Sequence, residues 1–273
     1  MRFFKQLKYD LIYGNFKNRA FIKYIIWCAY LLFICFEIRG NVLIYQAEGF
    51  TVGDSLYYLF AGVRSESTVL GGYPYMWLLI LILILFFTLS YTCDDLSGYG
   101  QQMILRSQKR IYWYLSKCIW NVSHVLVFYL VLWVFVITFT VIIGGGLSFE
   151  LTSFADEIKI TGGKKPSEVG LLIMEMVILP PLITAAMSIL QMGLSLLFKP
   201  MIAFIFSSVM LVASADRLSP FLVGNYAMAI RSNKIIENGV KAEDGILAAV
   251  IMTAIGLIIG TLAIRKYNIL SKD

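Results

Sequence analysis

Residues 93–123, CDDLSGYGQQMILRSQKRIYWYLSKCIWNVS, form a polar, basic, aromatic stretch between two apolar runs. Before it stands Met76–Thr92, MWLLILILILFFTLSYT, and after it His124–Ile143, HVLVFYLVLWVFVITFTVII. Each run is near the roughly 20 residues with which an α-helix crosses a bilayer. A basic segment in that setting reads as a loop held on the cytoplasmic side, because Lys and Arg are retained there. The question then becomes what the loop touches.

Outward from this loop, the whole chain follows the same pattern. It is 59% hydrophobic and 15% charged, with a mean hydropathy of +0.77. Soluble domains are nearer 45–50% apolar and about 25% charged. Six apolar runs, at about 22–38, 75–92, 123–144, 171–198, 200–215 and 246–264, predict six transmembrane helices. With both termini cytoplasmic, the inside segments hold 14 Lys and Arg against 9 outside, and 4 acids against 12. The Lys/Arg bias sets the orientation and the acids agree with it. The expectation is an all-α, multi-pass protein of the cell membrane, one transmembrane domain over 1–273 with a cytoplasmic loop at 93–122. Lys199-Pro200 must then be a very short inside turn. Topology accounts for the pI of 9.0, so no nucleic-acid partner is expected.

The flanks add detail. In residues 1–21, Phe3, Phe4, Leu7, Leu11, Ile12 and Phe16 recur at three-to-four spacing, while Lys5, Lys8, Asp10, Asn15 and Lys17 take the other face. That pattern predicts an amphipathic helix lying in the membrane interface; a plain basic flank is the alternative. Glu37-Ile38-Arg39-Gly40 follows the first apolar run where a small-residue cleavage site would stand, so the first span is expected to be retained. In the outer loop 39–74, residues 50–62 read as a short helix capped by Thr51 or Asp54. Tyr73, Tyr75 and Trp77 sit where an aromatic belt belongs. Pro180-Pro181 should kink or break the fourth span, leaving an outer helix at 171–179 and an inner one at 182–198. Glu175, just before it, faces either a cavity or partner, or water at headgroup level. Gly256 and Gly260 make a GxxxG in the last span, which permits close helix approach.

Several chemistries lack their residues. There is no GxxxxGK[ST], so the chain has no such loop to cradle ATP phosphates. His124 is the single histidine, read as an interfacial residue at the start of the third span; HExxH is excluded. No GxSxG occurs. Cys28, Cys35, Cys93 and Cys118 form no CxxC and no pair in the outer loops, so neither a metal site nor a disulfide is expected. Few ionisable residues fall within the spans, which disfavours a carrier powered by its own proton or sodium site.

Within the central loop, Asp94, Asp95 and Gly98-Tyr99-Gly100 end the second span, and residues 101–108 suit a short helix. Met103, Ile104 and Leu105 give it an apolar patch. Arg106, Lys109, Arg110 and Lys117 frame the patch, with Tyr112, Trp113, Tyr114 and Trp120 at the interface. Two readings stand side by side: the helix plugs into a groove on another protein, or its cations hold the loop inside and bind lipid phosphates.

In layout the chain resembles the permease subunits of type 2 ATP-binding-cassette (ABC) exporters. Residues 1–23 resemble their interfacial helix. Arg106-Ser107-Gln108-Lys109-Arg110 with Ser116-Lys117 resembles the run that enters their third span. Ser219-Pro220-Phe221-Leu222 and Ala227-Met228-Ala229-Ile230-Arg231 resemble their outer segment after the fifth span, and Arg265–Leu270 their basic end. One position departs: where the family often has Glu at the end of the second span, Asp94-Asp95 stand. The resemblance implies a non-catalytic transporter subunit that works with a second permease copy or a homologous permease. A separate cytoplasmic ATPase would hold ATP-Mg, so this chain would bind no cofactor. It also implies that Gln101, Gln102, Met103, Ile104, Leu105, Arg106, Lys109 and Arg110 form the coupling helix docked on that ATPase. Aromatic-rich, weakly charged spans favour an amphipathic cargo: a peptide, an antibiotic or a lipid. The alternative is a standalone membrane immunity or receptor protein that binds a peptide or lipid without transport.

Overall fold

The computed structural model describes residues 2–16, 20–47, 49–64, 73–107, 110–158 and 164–267, without the side chains of Arg2, Phe16, Ala20, Arg106 and Ser107. Among the described residues the chain is all-helical, with no strand. Five helices are long and apolar enough to cross a membrane, so this is a multi-pass membrane protein.

In chain order, α1 is Arg2–Phe16 and α2 is Ala20–Ile44. The short α3, Val52–Phe60, starts with a reciprocal cap. The Asp54 amide donates to Thr51 Oγ1 (3.2 Å), and the Thr51 amide donates to Asp54 Oδ2 (3.0 Å). Both expected capping residues therefore act together, as a capping box does.

The second span runs as α4 (Tyr75–Thr88) and α5 (Tyr91–Leu96), broken at Leu89-Ser90. The break leaves backbone acceptors in an apolar setting, where each must be satisfied. Lys23 Nζ donates to the Phe87 carbonyl (2.5 Å) and Gln191 Nε2 to the Leu85 carbonyl (2.9 Å).

The stretch expected as a loop at 93–122 is mostly helix. After α5 come α6 (Tyr99–Ser107) and α7 (Arg110–Ile142). With 33 residues, α7 is about 50 Å long, well beyond a hydrocarbon core of about 30 Å. Its first three turns or so extend the third span into the predicted loop. Trp113, Tyr114 and Trp120 are consequently buried, and only Tyr112 of that set is exposed. Trp77 is likewise no belt residue: it is buried and its indole donates to the Ala227 carbonyl (2.9 Å). His124 is also buried, not interfacial; Nδ1 lies 2.7 Å from Asn15 Oδ1.

The fourth span is one continuous helical unit, Met174–Ser195, rather than two helices. A π-helical turn at Met174–Ile178 leads into α9, Leu179–Ser195, whose first turn holds both prolines. The prolines are tolerated because they directly follow the π turn, where the i→i−4 pattern that their missing N–H groups would continue is already interrupted. The Leu179 amide reaches back five residues to the Met174 carbonyl. Glu175 is buried, its Oε1 3.0 Å from Lys234 Nζ and accepting from Ser232 Oγ (3.1 Å). Burial with these partners excludes the headgroup-water reading.

α9 is the central helix. It packs against α4, α7, α10 (Pro200–Asp216) and, most closely, α11 (Ala242–Lys266). The close approach depends on glycine: a Cβ on Gly256 would lie 2.8 Å from the Leu190 amide nitrogen, and one on Gly193 2.7 Å from the Gly256 carbonyl. The GxxxG therefore serves packing within the chain. Polar pairs bind the interior as they do in other membrane bundles. Ser188 Oγ donates to Asn121 Oδ1 (2.6 Å) and pairs with Thr88 Oγ1 (2.8 Å), and Tyr129 Oη pairs with Thr184 Oγ1 (2.8 Å).

At the end opposite α6, the segment after α10 folds back through short 3₁₀ turns at Val223–Ala227 and Ala229–Arg231. Arg231 is fully buried and has only neutral acceptors. It donates to the carbonyls of Val63 (2.7 Å), Ala215 (2.7 Å), Ser214 and Arg217 (3.1 Å), and to Asn225 Oδ1. Four orphan carbonyls, three of them at the end of α10, are thereby satisfied by one cation, which also suits the negative end of that helix. Burial pulls its guanidinium down to about 10, which leaves it charged at neutral pH.

Candidate functional site: a buried clasp beneath α6

α6 projects between the second and third spans. At its root, α1, α5 and α7 meet around one ammonium. Lys117 on α7 is completely buried. Its Nζ lies 2.6 Å from Asp10 Oδ1 on α1 and 2.7 Å from Asp95 Oδ2 on α5. Asp10 also accepts from Ser116 Oγ (2.5 Å) and Tyr91 Oη (3.1 Å). Asp95 accepts from Trp113 Nε1 (3.0 Å). The ammonium further lies over the rings of Tyr91 (4.4 Å) and Trp113 (5.4 Å), which attract it through their quadrupoles.

The local sequence builds this arrangement. Gln6, Asp10 and Gly14 follow one another at four-residue spacing, so they share one face of α1, and that face is buried. Gln6, Asp10 and Asn15 thus dock inward, while Lys5 and Lys8 stay exposed with Phe4 and Ile12. This corrects the expectation that Asp10 and Asn15 face water. Gly14 permits the approach: a Cβ there would lie 2.3 Å from Trp120 Nε1. Partial burial, then nearby Tyr13 and the Asp95 carboxylate, push the Tyr9 phenol on this helix up to about 12.

The cluster carries two carboxylates and one ammonium, and each carboxylate receives at least two donors. Such a network is costly when half-satisfied and rigid when complete. Its chemistry is to fasten three elements in one arrangement.

α6 itself rests on a small core separate from the main one: Leu96, Ile104, Trp113, Tyr114, Cys118, Met192 and Ile264. That core also takes in residues from the ends of the third, fourth and last long helices. Arg110 extends this linkage, since Nη1 donates to the carbonyls of Ile264 (3.2 Å), Arg265 (2.9 Å) and Tyr267 (2.8 Å). A cation there meets the negative end of α11.

The expected docking residues divide accordingly. Gln102 and Leu105 are exposed, Gln101 and Met103 are half-buried, and Ile104 is turned into the small core. The guanidinium of Arg110 is engaged by α11. Arg106 lies on α6 with its side chain outside the described residues, and Lys109 lies outside them altogether. Sequence reasoning missed Asp10, Tyr91 and Ser116 as a unit with Lys117 and Asp95. The available signal was Asp10, the single acid in the basic segment 1–23. Among the described residues no cluster of three His, Cys, Asp or Glu is arranged to hold a metal ion.

Comparison with known proteins places the chain without assigning an activity. No curated protein and no solved structure matches it. Residues 25–270, all but the first 24 and the last three residues, match the model of a family described as protein of unknown function (DUF2705), and the chain belongs to that family.

Proposed function

We propose that this protein is the membrane-spanning subunit of an ABC exporter, without catalytic activity of its own. In this reading α10 makes a sixth crossing and both termini face the cytoplasm. The other chains are a second permease copy or homologue and a cytoplasmic ATPase that binds ATP-Mg. The cargo is amphipathic: a peptide, an antibiotic or a lipid. α10 has 17 residues, or about 25 Å, so it would cross where the bilayer thins or its ends snorkel.

One observation carries the proposal. A short helix with exposed Gln102 and Leu105 stands between two spans, and its root shares a small core with α7, α9 and α11 and adjoins the clasp that ties in α1. A push on α6 therefore reaches four other helices, as a transporter driven from outside the membrane needs. The two-site coupling argument requires such an element with linked arrangements.

The test is purification of the tagged protein from its own host at normal expression, with Gln102→Glu/Leu105→Glu alongside. Both changes fall on exposed side chains, so the melting temperature should hold. A co-purifying nucleotide-binding ATPase, depleted at least tenfold in the variant, is the expected result. An ATPase retained by the variant would move the docking site. No ATPase with either protein would overturn the transporter reading in favour of a standalone immunity or receptor protein.

A further inference from the structure

An apolar groove of about 680 Å³ runs along α7 beside α9 and α11. Its floor is a stripe of Leu115, Ile119, Leu126 and Leu130. Leu257 of α11 and Ile189 of α9 contribute the wall, and Phe3 of α1 closes the end nearest α6. From Leu115 to Leu130 the helix rises about 22 Å, about three quarters of a hydrocarbon core of about 30 Å. Among the described residues no charged side chain lines it, and Ser123 offers the one hydroxyl.

The α6 end of the groove has a different chemistry. The Phe3 and Tyr112 rings meet edge-to-face at 5.9 Å, the kind of aromatic rim found at headgroup depth. Arg110 lies on α7 one turn or so before Leu115, and it binds the end of α11, where Arg265 and Lys266 are exposed. Among the described residues no ion pair engages either of these two cations.

We propose that this groove holds an acyl chain of an anionic phospholipid, with the headgroup phosphate at Arg265 and Lys266. A slot that spans about three quarters of the hydrocarbon core, uncharged along its described length and cationic at one mouth, fits an amphiphile whose charge sits at one end. A second copy of the chain fits less well. A two-fold contact through this groove would place both Arg265–Lys266 pairs at the same membrane depth, like charge near like charge. The inference rests on the proposed orientation only in assigning the lipid to the inner leaflet. Its test does not involve an ATPase, so the two readings fail separately.

The experiment is native mass spectrometry of the full chain in mild detergent, after incubation with phosphatidylglycerol or phosphatidylcholine of the same acyl chains. The expected result is preferential retention of phosphatidylglycerol. Arg265→Ala/Lys266→Ala should lower that retention by about tenfold or more, in line with the loss of two cations at a membrane surface. Leu126→Trp, which fills the groove, should lower retention of both lipids. The double alanine variant changes only exposed side chains, so the test stands even where the Trp variant fails to fold. Equal retention of the two lipids, unchanged by the alanine variant, would overturn the proposal and leave only bulk annular lipid. Loss of a dimer in Leu126→Trp with lipid retention intact would overturn it in favour of a second copy.

Discussion

Replacing Lys117 by Met removes one ammonium from between two buried carboxylates while keeping most of the side-chain volume. Asp10 and Asp95 would keep their hydroxyl and indole donors but lose the charge they share. Breaking a buried pair by removing one partner typically costs about 3–5 kcal/mol. At about 2–4 °C per kcal/mol for a chain of this size, the melting temperature should fall by about 10 °C. Asp10→Asn should cost far less, about 1 kcal/mol. Lys117 then still faces Asp95, and the amide oxygen still accepts from one of Ser116 and Tyr91, which reach different oxygens of the carboxylate. The double variant separates a unit from a set of independent contacts. Lys117→Met alone leaves two unpaired carboxylates, and adding Asp10→Asn leaves one. The combined loss should therefore be smaller than the sum of the single losses by about 1–3 kcal/mol. Fluorescence-detected size-exclusion chromatography after stepwise heating in detergent reads these shifts. A Lys117→Met protein melting within about 2 °C of wild type, or strictly additive losses, would refute the reasoning.

Three further outcomes follow from particular contacts. Gly14→Val should drive a side chain into the Trp120 indole, cost about 1–3 kcal/mol, and raise amide exchange along α1 while sparing α9. Gly256→Ala should cost a comparable amount, because its Cβ meets the backbone of Leu190, which cannot rotate aside; unchanged melting would contradict the packing described. Burial, only partly offset by hydrogen bonds from Thr152 and Thr51, holds the Asp54 carboxyl above its usual range. An acid whose folded-state pKa is raised contributes its stability below the unfolded value and loses it as pH rises through the folded value. Wild type should therefore gain in melting temperature relative to Asp54→Asn as pH falls from 7 towards 4, and the opposite trend would refute that account.

Hydropathy and charge made the long helices legible, since roughly 20 consecutive apolar residues have few other soluble or membrane solutions. The short turn at Lys199-Pro200 and the capped helix after Thr51 were also readable, because proline and capping residues act locally. What stayed hidden depends on partners far apart in the chain. Lys117 reads as one of several loop cations until α7 is known to continue upstream to Arg110. Asp10 reads as a solvated residue until α1 is seen to bury Gln6, Asp10 and Asn15 while leaving Lys5 and Lys8 exposed. Arg231 has no acid beside it in sequence, and its partners are backbone carbonyls, which any residue supplies. The break at Leu89-Ser90 contains neither proline nor glycine, and is sustained by Lys23 and Gln191 from other helices.

The wide turn at Met174–Ile178 sets the angular phase of everything after it. In an uninterrupted α-helix, successive residues advance by about 100°. Glu175 and Thr184, nine positions apart, would then point about 180° from each other. A π turn absorbs one extra residue, so the two differ by only about 80°. That is why both can be buried, Glu175 with Lys234 and Thr184 with Tyr129. Deleting one residue there would do more than shorten the helix. It would force a choice between the carboxylate's partners at one end of the bundle and the hydroxyl ladder of Thr184 and Ser188 in its middle. The turn works as a phase shifter joining two differently aimed halves of a single rod.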